Sequence, residues 1–289
     1  MIKLIASDMD GTLLDAQMQI SQENKDAIDY ATSKGIEFMV ATGRNRSEAL
    51  PPLEEMGIEC AMVTLNGAQV FDKEGHSIFT APIDLEVVHA ILDILDEHQI
   101  YYEVSTNKGT YSESKEQRIE NFASHMAETM PHLTHKMAIA MTVARLEFLP
   151  IHFIDNLREL ILQDDLMILK IICFHKEGAT YLGPAAKKID QLENLFITSS
   201  SQNNIEINHS AAKKGIAVAQ VAIDRQIDLQ DVMTIGDNLN DVSMIQVAGV
   251  SFAMGNALPE LKEYAKYVTD TNVESGVGKA IRRAIDEEL

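Results

Sequence analysis

The sequence has little cysteine and no long apolar run. Its 289 residues include two cysteines, Cys60 and Cys173. Two are too few for a disulfide framework or a cysteine zinc site, as expected for buried thiols in a reducing compartment. The most apolar stretch, 166–174, is short and contains Lys170, whereas a membrane span needs roughly 20 apolar residues. Because Asp8 also interrupts any secretory leader, we expect a cytoplasmic protein without membrane helices.

Positive charge is scarce as well. Lysine and arginine number 24 against 44 aspartates and glutamates, for a formal net charge of −20. Such a field repels polyanions, so we expect neither nucleic acid nor an anionic membrane as a partner. The hydrophobic share of 46% is ordinary for a globular protein. The length suggests about two domains, and we expect a monomer or a homodimer.

Several phosphate-binding and metal-binding loops are missing. Neither G-x-x-x-x-G-K-[ST] nor G-x-G-x-x-G follows any strand-like run, which excludes P-loop kinases and dinucleotide-dependent dehydrogenases. No EF-hand pattern is present, so calcium is a poor candidate ligand.

Four short β-rich runs, at 2–7, 36–41, 60–65 and 232–235, each end where polar or glycine residues begin. Such runs are typical of buried parallel strands. A helical pattern between the first two runs stops at Gly35, a favourable residue beyond a helix end. The alternation predicts an α/β fold with a doubly wound, Rossmann-like parallel sheet, whose ligands bind at the carboxyl ends of the strands.

The alternation breaks in the middle of the chain. A helix at about 84–98 and a strand at 100–104 open a mixed region, and regular alternation resumes after 211–215. We therefore predict a catalytic core formed by 1–82 and 211–289, and an inserted α/β cap formed by 83–210.

Two acidic motifs follow predicted strands. Asp8-Met9-Asp10-Gly11-Thr12 leaves the first strand, and its two carboxylates can face one ligand because glycine permits a tight turn. Gly236-Asp237-Asn238-Leu239-Asn240-Asp241 follows a later strand. Asp8, Asp10, Asp237 and Asp241 at one sheet edge would repel each other unless a cation neutralised them. Oxygen ligands without histidine or cysteine favour Mg²⁺.

Two further segments can contact an anion. Thr42-Gly43 can offer a hydroxyl and backbone N–H groups. Lys213 and Lys214 precede a predicted helix, where an ammonium group and the helix dipole both favour phosphate.

These motifs resemble the haloacid dehalogenase superfamily, specifically Cof-type phosphatases with a large α/β (C2-type) cap, across nearly the whole chain. The matching segments are Asp8 to Leu13, Thr42-Gly43-Arg44, Lys214-Gly215, Gly236 to Asp241, Asn66-Gly67-Ala68, Met254-Gly255-Asn256-Ala257, and Asn272 with Gly276-Val277. Alignment to the glycine selects Lys214 over Lys213.

The resemblance implies a role for each matching residue. Asp8 would attack phosphorus to form an aspartyl-phosphate, and Asp10 would protonate the leaving alkoxide and then activate water. Mg²⁺ would be held by Asp8, the Asp10 carbonyl and Asp237. The other implied roles are phosphate binding by Met9, Thr42, Gly43, Lys214 and Asn240, and orientation of Lys214 or a metal-bound water by Asp241.

The expected function is therefore Mg²⁺-dependent hydrolysis of a small phosphorylated metabolite, such as a sugar phosphate or a vitamin-precursor phosphate. Tyr111 and Glu206 in the cap are candidate specificity residues. Two alternatives stay open. A phosphomutase would use the same aspartyl-phosphate, and a non-enzymatic phospho-receiver module would also combine an aspartate, a metal, a threonine and a lysine.

Overall fold

The computed structural model describes residues 1–130, 132–146, 151–199 and 201–289. They form two compact units: residues 1–81 with 211–289, and residues 82–210. We call the first the core unit and the second the cap unit. The first boundary lies between Ala81 and Pro82, one residue earlier than the sequence suggested.

The described residues contain fourteen strands: β1 Leu4–Ser7, β2 Glu37–Ala41, β3 Ala61–Thr64, β4 Gln69–Phe71, β5 Ser77–Thr80, β6 Tyr101–Thr106, β7 Gly109–Ser112, β8 Ile151–Phe153, β9 Ile168–Phe174, β10 Leu195–Thr198, β11 Asn204–His209, β12 Val232–Gly236, β13 Val250–Ala253 and β14 Tyr267–Val268. They also contain eleven α-helices: α1 Gln22–Ser33, α2 Arg46–Glu55, α3 Leu85–Glu97, α4 Lys115–Thr129, α5 His135–Leu146, α6 Leu157–Leu160, α7 Ala179–Ile189, α8 Lys214–Asp224, α9 Val242–Val247, α10 Pro259–Tyr264 and α11 Gly276–Asp286.

The core unit is an eight-stranded sheet in the order β14-β13-β12-β1-β2-β3-β4-β5. The six strands from β14 to β3 are parallel, and β4 and β5 add an antiparallel hairpin at the edge. Alternate residues of β1 enter different apolar clusters: Ile5 packs with α1, α2, α10 and α11, whereas Leu4 and Ala6 pack with α8 and α9. Helices thus cover both faces, and the predicted α/β class with a parallel sheet is confirmed.

Local chemistry explains where the helices nearest β1 and β2 begin. Ser21 caps α1 by accepting a hydrogen bond from the Asn24 N–H at 3.2 Å. Asn45 and Glu48 form a reciprocal capping box at the start of α2. Each cap satisfies backbone groups that have no partner within the helix, which fixes the residue at which each helix begins.

The cap unit is a six-stranded sheet in the order β10-β11-β9-β6-β7-β8. Its strands are antiparallel except for the parallel pair β7 and β8. One face of this sheet packs against α3 and α7 in an apolar cluster that includes Val104, Ile171 and Ile207. Within the described residues, no helix has the length and hydropathy to cross a membrane.

Candidate active site

Asp8 follows β1 directly, at the carboxyl edge of the parallel sheet. Its N–H donates to the carbonyl of Ile235 on β12 at 2.9 Å, so the ladder continues one residue beyond the strand. The residue is 5% exposed. Gly11 then turns the chain with φ +77°, and a Cβ atom there would lie 2.5 Å from Asp237 Oδ2. Only glycine fits this approach, which brings the loop after β1 against the loop after β12.

Lys214 lies at the centre of the site. Its Nζ atom is 2.6 Å from Asp8 Oδ1 and 2.6 Å from Asp241 Oδ1, and the side chain is 0% exposed. Gly215 makes this position of α8 possible, because a Cβ atom there would collide with the backbone of Ser243. Of the two adjacent lysines, the structure thus brings Lys214 onto the acidic groups.

Asp8, Asp237 and Asp241 form an acidic group whose ligand atoms all lie within 4.8 Å of one another. Asp241 Oδ1 accepts from Lys214, and its Oδ2 accepts from the backbone N–H groups of Asp237 and Asn238 at 2.9 and 3.1 Å. Asp237 Oδ1 accepts from the Thr12 hydroxyl at 3.0 Å. Asp241 is therefore committed to holding Lys214 and the loop, whereas Asp8 and Asp237 are the carboxylates best placed to receive a cation.

The pKa values of these residues show that it is unfavourable to bury three carboxylates close together. Burial raises the pKa of Asp8 well above its ordinary value; Lys214 opposes this, and Asp241 and Asp237 add to it. Burial and Asp241 raise the pKa of Asp237 to about 6, against the hydrogen bond from Thr12. Burial lowers the pKa of Lys214, but Asp241 and Asp8 outweigh it and the net shift is upward. Three carboxylates share one ammonium group, so the cluster favours an added cation.

Asp10 is placed differently from what the sequence suggested. The structure does not bring its carboxylate into the acidic group; its side chain is 50% exposed and bound by Arg44. Arg44 Nε donates to Asp10 Oδ2 at 2.8 Å, and Nη2 donates to Oδ1 at 2.5 Å. Burial lowers the pKa of Arg44, but its hydrogen bond and charge interaction with Asp10 raise it overall. Arg44 stood in a quoted motif without a role, and this contact is what sequence reasoning missed.

The predicted phosphate-binding residues surround the same strand ends. Thr42 is fully buried after β2, and its hydroxyl accepts from the Arg44 N–H at 3.1 Å. Asn240 donates to Asn66 Oδ1 at 3.2 Å. The side chain of Met9 lies in the apolar core, so only the backbone of this residue is available for the predicted phosphate contact. Gly43, half-buried, follows Thr42 directly.

Three asparagines that the sequence did not single out by role hold the loop after β1. Asn24 and Asn272 donate to the carbonyls of Leu13 and Leu14 at 3.3 and 2.9 Å. Asn256 donates to the carbonyl of Gly11 at 2.8 Å. Such contacts satisfy backbone groups that a turn leaves without partners, and they fix the geometry of the loop that carries Asp8.

The two cap residues proposed for specificity lie on opposite faces of the cap sheet. Tyr111 pairs with Val104 and shares the apolar face, where its ring lies 5.1 Å from that of His152. Glu206 precedes Ile207, which lies on that apolar face, so its side chain points the other way. Glu206 is 2% exposed and lies 3.6 Å from Lys170 Nζ. The structure does not bring Tyr111 and Glu206 together.

The fold and the site define a class: α/β proteins that gather acidic groups and a buried lysine where parallel strands end. The family model described as haloacid dehalogenase-like hydrolase matches residues 5–281. The chain therefore belongs to the haloacid dehalogenase-like hydrolase family, as the motifs predicted.

Relatives in Bacillus subtilis match along nearly their whole length. Phosphatase YwpJ is 32% identical over 98% of this chain and 100% of its own. The 5-amino-6-(5-phospho-D-ribitylamino)uracil phosphatase YcsE is also 32% identical, over 97% of this chain and 95% of its own. The structure of a haloacid dehalogenase-like hydrolase from the same organism superposes with a TM-score of 0.87 at 31% identity, covering 97% of this chain and 99% of that one.

Proposed function

We propose that this chain is a Mg²⁺-dependent phosphatase that hydrolyses small phosphorylated metabolites through an aspartyl-phosphate on Asp8. The observation that carries the proposal is the buried Asp8 carboxylate at the end of β1, held by Lys214 beside two further carboxylates. The full-length similarity to proteins named phosphatases supports it and favours hydrolysis over a phosphomutase or a receiver module.

The residues present fit a divalent cation. Asp8, Asp237 and Asp241 against one Lys214 leave two negative charges uncompensated when all four groups are ionised. The donor set of this group is oxygen alone, as Mg²⁺ prefers. Because Asp241 is committed to Lys214 and the loop, we assign the cation to Asp8, Asp237 and the carbonyl of Asp10. When bound, Mg²⁺ would stabilise negative charge on the phosphoryl oxygens.

The chain's own side chains supply the remaining steps. An Asp8 oxygen attacks phosphorus, and the ester P–O bond breaks as Asp10 gives a proton to the leaving alkoxide. Water then attacks the phosphorus of the aspartyl-phosphate while Asp10 takes its proton, which releases phosphate and restores Asp8. Thr42, the Gly43 and Met9 backbones, Lys214 and Asn240 hold the phosphoryl oxygens.

The cap unit is assigned to substrate selection within the same proposal. Glu206 is retained as a specificity candidate because it is a buried carboxylate beside Lys170. For Tyr111, packing in the apolar cluster of the cap unit is the simpler role. A cytoplasmic location is supported by the two buried cysteines, which form no disulfide.

Phosphate release tests the proposed function. The panel contains sugar phosphates, nucleotides, pyridoxal phosphate and 5-amino-6-(5-phospho-D-ribitylamino)uracil, each with Mg²⁺ or with chelator. We expect release that requires Mg²⁺. Phosphoryl transfer to a second position of a sugar would instead establish a phosphomutase, and a phosphoenzyme that lasts minutes without releasing phosphate would establish a receiver module.

Mg²⁺ is expected to stabilise the fold more at about pH 7.5 than at about pH 5, because its ligands bind only when deprotonated. The raised pKa of Asp237, about 6, means that the chelated protein gains stability from this group below about pH 4 and loses it as pH rises to about 6. Thermal unfolding with and without Mg²⁺ measures both effects, and a shift of about 2–5 °C at the higher pH is expected.

Asp237→Asn is the matched variant for that measurement. It should remove most of the Mg²⁺-dependent shift in melting temperature at about pH 7.5. It should also flatten the fall in stability of the chelated protein between about pH 4 and pH 6. An unchanged Mg²⁺ response in Asp237→Asn would contradict the metal assignment.

A further inference from the structure

The proposed mechanism gives Arg44 no role, although this residue makes a paired contact with Asp10, a proposed catalytic group. Both oxygens of Asp10 accept from its guanidinium, at 2.8 Å from Nε and 2.5 Å from Nη2. A paired contact of this kind fixes the plane and direction of a carboxylate, not only its position. A lysine could not reproduce it, because an ammonium group acts as a point charge.

Arg44 is itself held in place. Its third guanidinium nitrogen, Nη1, donates to the carbonyl of Glu48 in the first turn of α2 at 3.1 Å. Its backbone N–H donates to the Thr42 hydroxyl at 3.1 Å, and its carbonyl accepts from the Leu65 N–H at 2.9 Å. Its side chain is 19% exposed. An arginine fixed at its backbone and at its tip transmits that rigidity to the carboxylate it binds.

Asp10 has few other restraints. Its side chain is half exposed, and the two carboxylate hydrogen bonds that the structure shows both come from Arg44. Without Arg44, the carboxylate would sample several rotamers in water. A group that must pass a proton to a leaving oxygen and later take one from water needs a narrow range of orientations.

We propose that Arg44 is the positioning residue that aims Asp10 for both proton transfers. The inference rests on the proposed phosphatase function and deepens it. Arg44 acts through Asp10 and does not itself exchange a proton. Removal of the Arg44 side chain should therefore slow only the two steps in which Asp10 transfers a proton. These steps are the departure of leaving groups that need a proton and the hydrolysis of the aspartyl-phosphate.

The experiment compares an alkyl phosphate with p-nitrophenyl phosphate in wild type and Arg44→Ala. Nitrophenolate leaves without a proton, so kcat/KM for the aryl ester should change by less than about 3-fold, whereas kcat/KM for the alkyl ester should fall by about 100-fold. With the aryl ester, Arg44→Ala should also show a burst of nitrophenolate, because hydrolysis of the phosphoenzyme becomes the slow step.

Three further variants separate positioning from structural damage. Arg44→Lys should recover part of the alkyl-ester activity. Adding Arg44→Ala to Asp10→Asn should cost less than about 2-fold more, because the residue through which Arg44 acts is already disabled. Arg225→Ala removes an arginine that pairs with Glu37 at the amino end of β2, and it should leave both esters unaffected.

Equal losses on both esters without a burst, or a full further loss in the Asp10→Asn background, would overturn the positioning role and leave the phosphatase proposal standing. A wild-type protein that releases no phosphate from any ester would overturn the proposed function, and this inference with it.

Discussion

Asp8→Asn is expected to abolish phosphate release, by a factor of at least about 10⁴, without unfolding the protein. The amide is nearly isosteric with the carboxylate but is a poor nucleophile and cannot form an acyl phosphate. The variant keeps an oxygen that can accept from Lys214, and it removes a charge whose burial is unfavourable, as the raised pKa of Asp8 shows. In chelator, its melting temperature should equal or exceed that of wild type.

Mass spectrometry of acid-quenched turnover provides the second readout. Wild type should carry one added phosphoryl group on the peptide that contains Asp8, and Asp8→Asn should carry none. Asp26→Asn is the matched control: it makes the same change on the exposed side of α1, where Asp26 accepts a hydrogen bond from Gln22, and should stay within about 2-fold of wild type. Activity above about 1% in Asp8→Asn, or a phosphoryl group elsewhere, would contradict the assignment.

The contrast between Asp8 and Asp10 shows how far sequence reasoning reached. Both were expected at the edge of the sheet where the first strand ends. The short apolar run before them was sufficient to predict this strand, because buried parallel strands are uniformly apolar. The side-chain directions were not predictable. They depend on the turn at Gly11 and on the reach of Arg44 from the neighbouring strand end, two features separated by 33 positions in the chain.

The sheet of the cap unit shows a second limit of prediction from the sequence. Helix α3 and strand β6 were indicated by local patterns, yet the relation between Tyr111 and Glu206 depends on register across four strands. A shift of one residue in any pair reverses the face that a side chain occupies. Such registers are set by long-range packing, which one sequence does not reveal.

Lys214→Met is expected to destabilise the metal-free protein by about 3–5 kcal/mol, the largest stability effect we predict. Lys214 is fully buried between Asp8 and Asp241, with 2.6 Å to each. Methionine matches much of its apolar stem but leaves two buried carboxylates without their counter-charge. The melting temperature in chelator should fall by about 5–15 °C. Mg²⁺ should restore part of the loss because it supplies positive charge to the carboxylates that have lost the ammonium group.

Two comparisons decide whether charge or packing causes that loss. Lys213→Met changes the neighbouring, half-buried lysine before α8 and should cost less than about 1 kcal/mol. Adding Asp8→Asn to Lys214→Met should recover stability, since it removes one of the stranded carboxylates; a double variant less stable than Lys214→Met alone would show that packing dominates. Lys214→Met alone should release no phosphate even with saturating Mg²⁺, because the cation can replace the charge of the lysine but not the N–H donors that it offers to a phosphoryl oxygen.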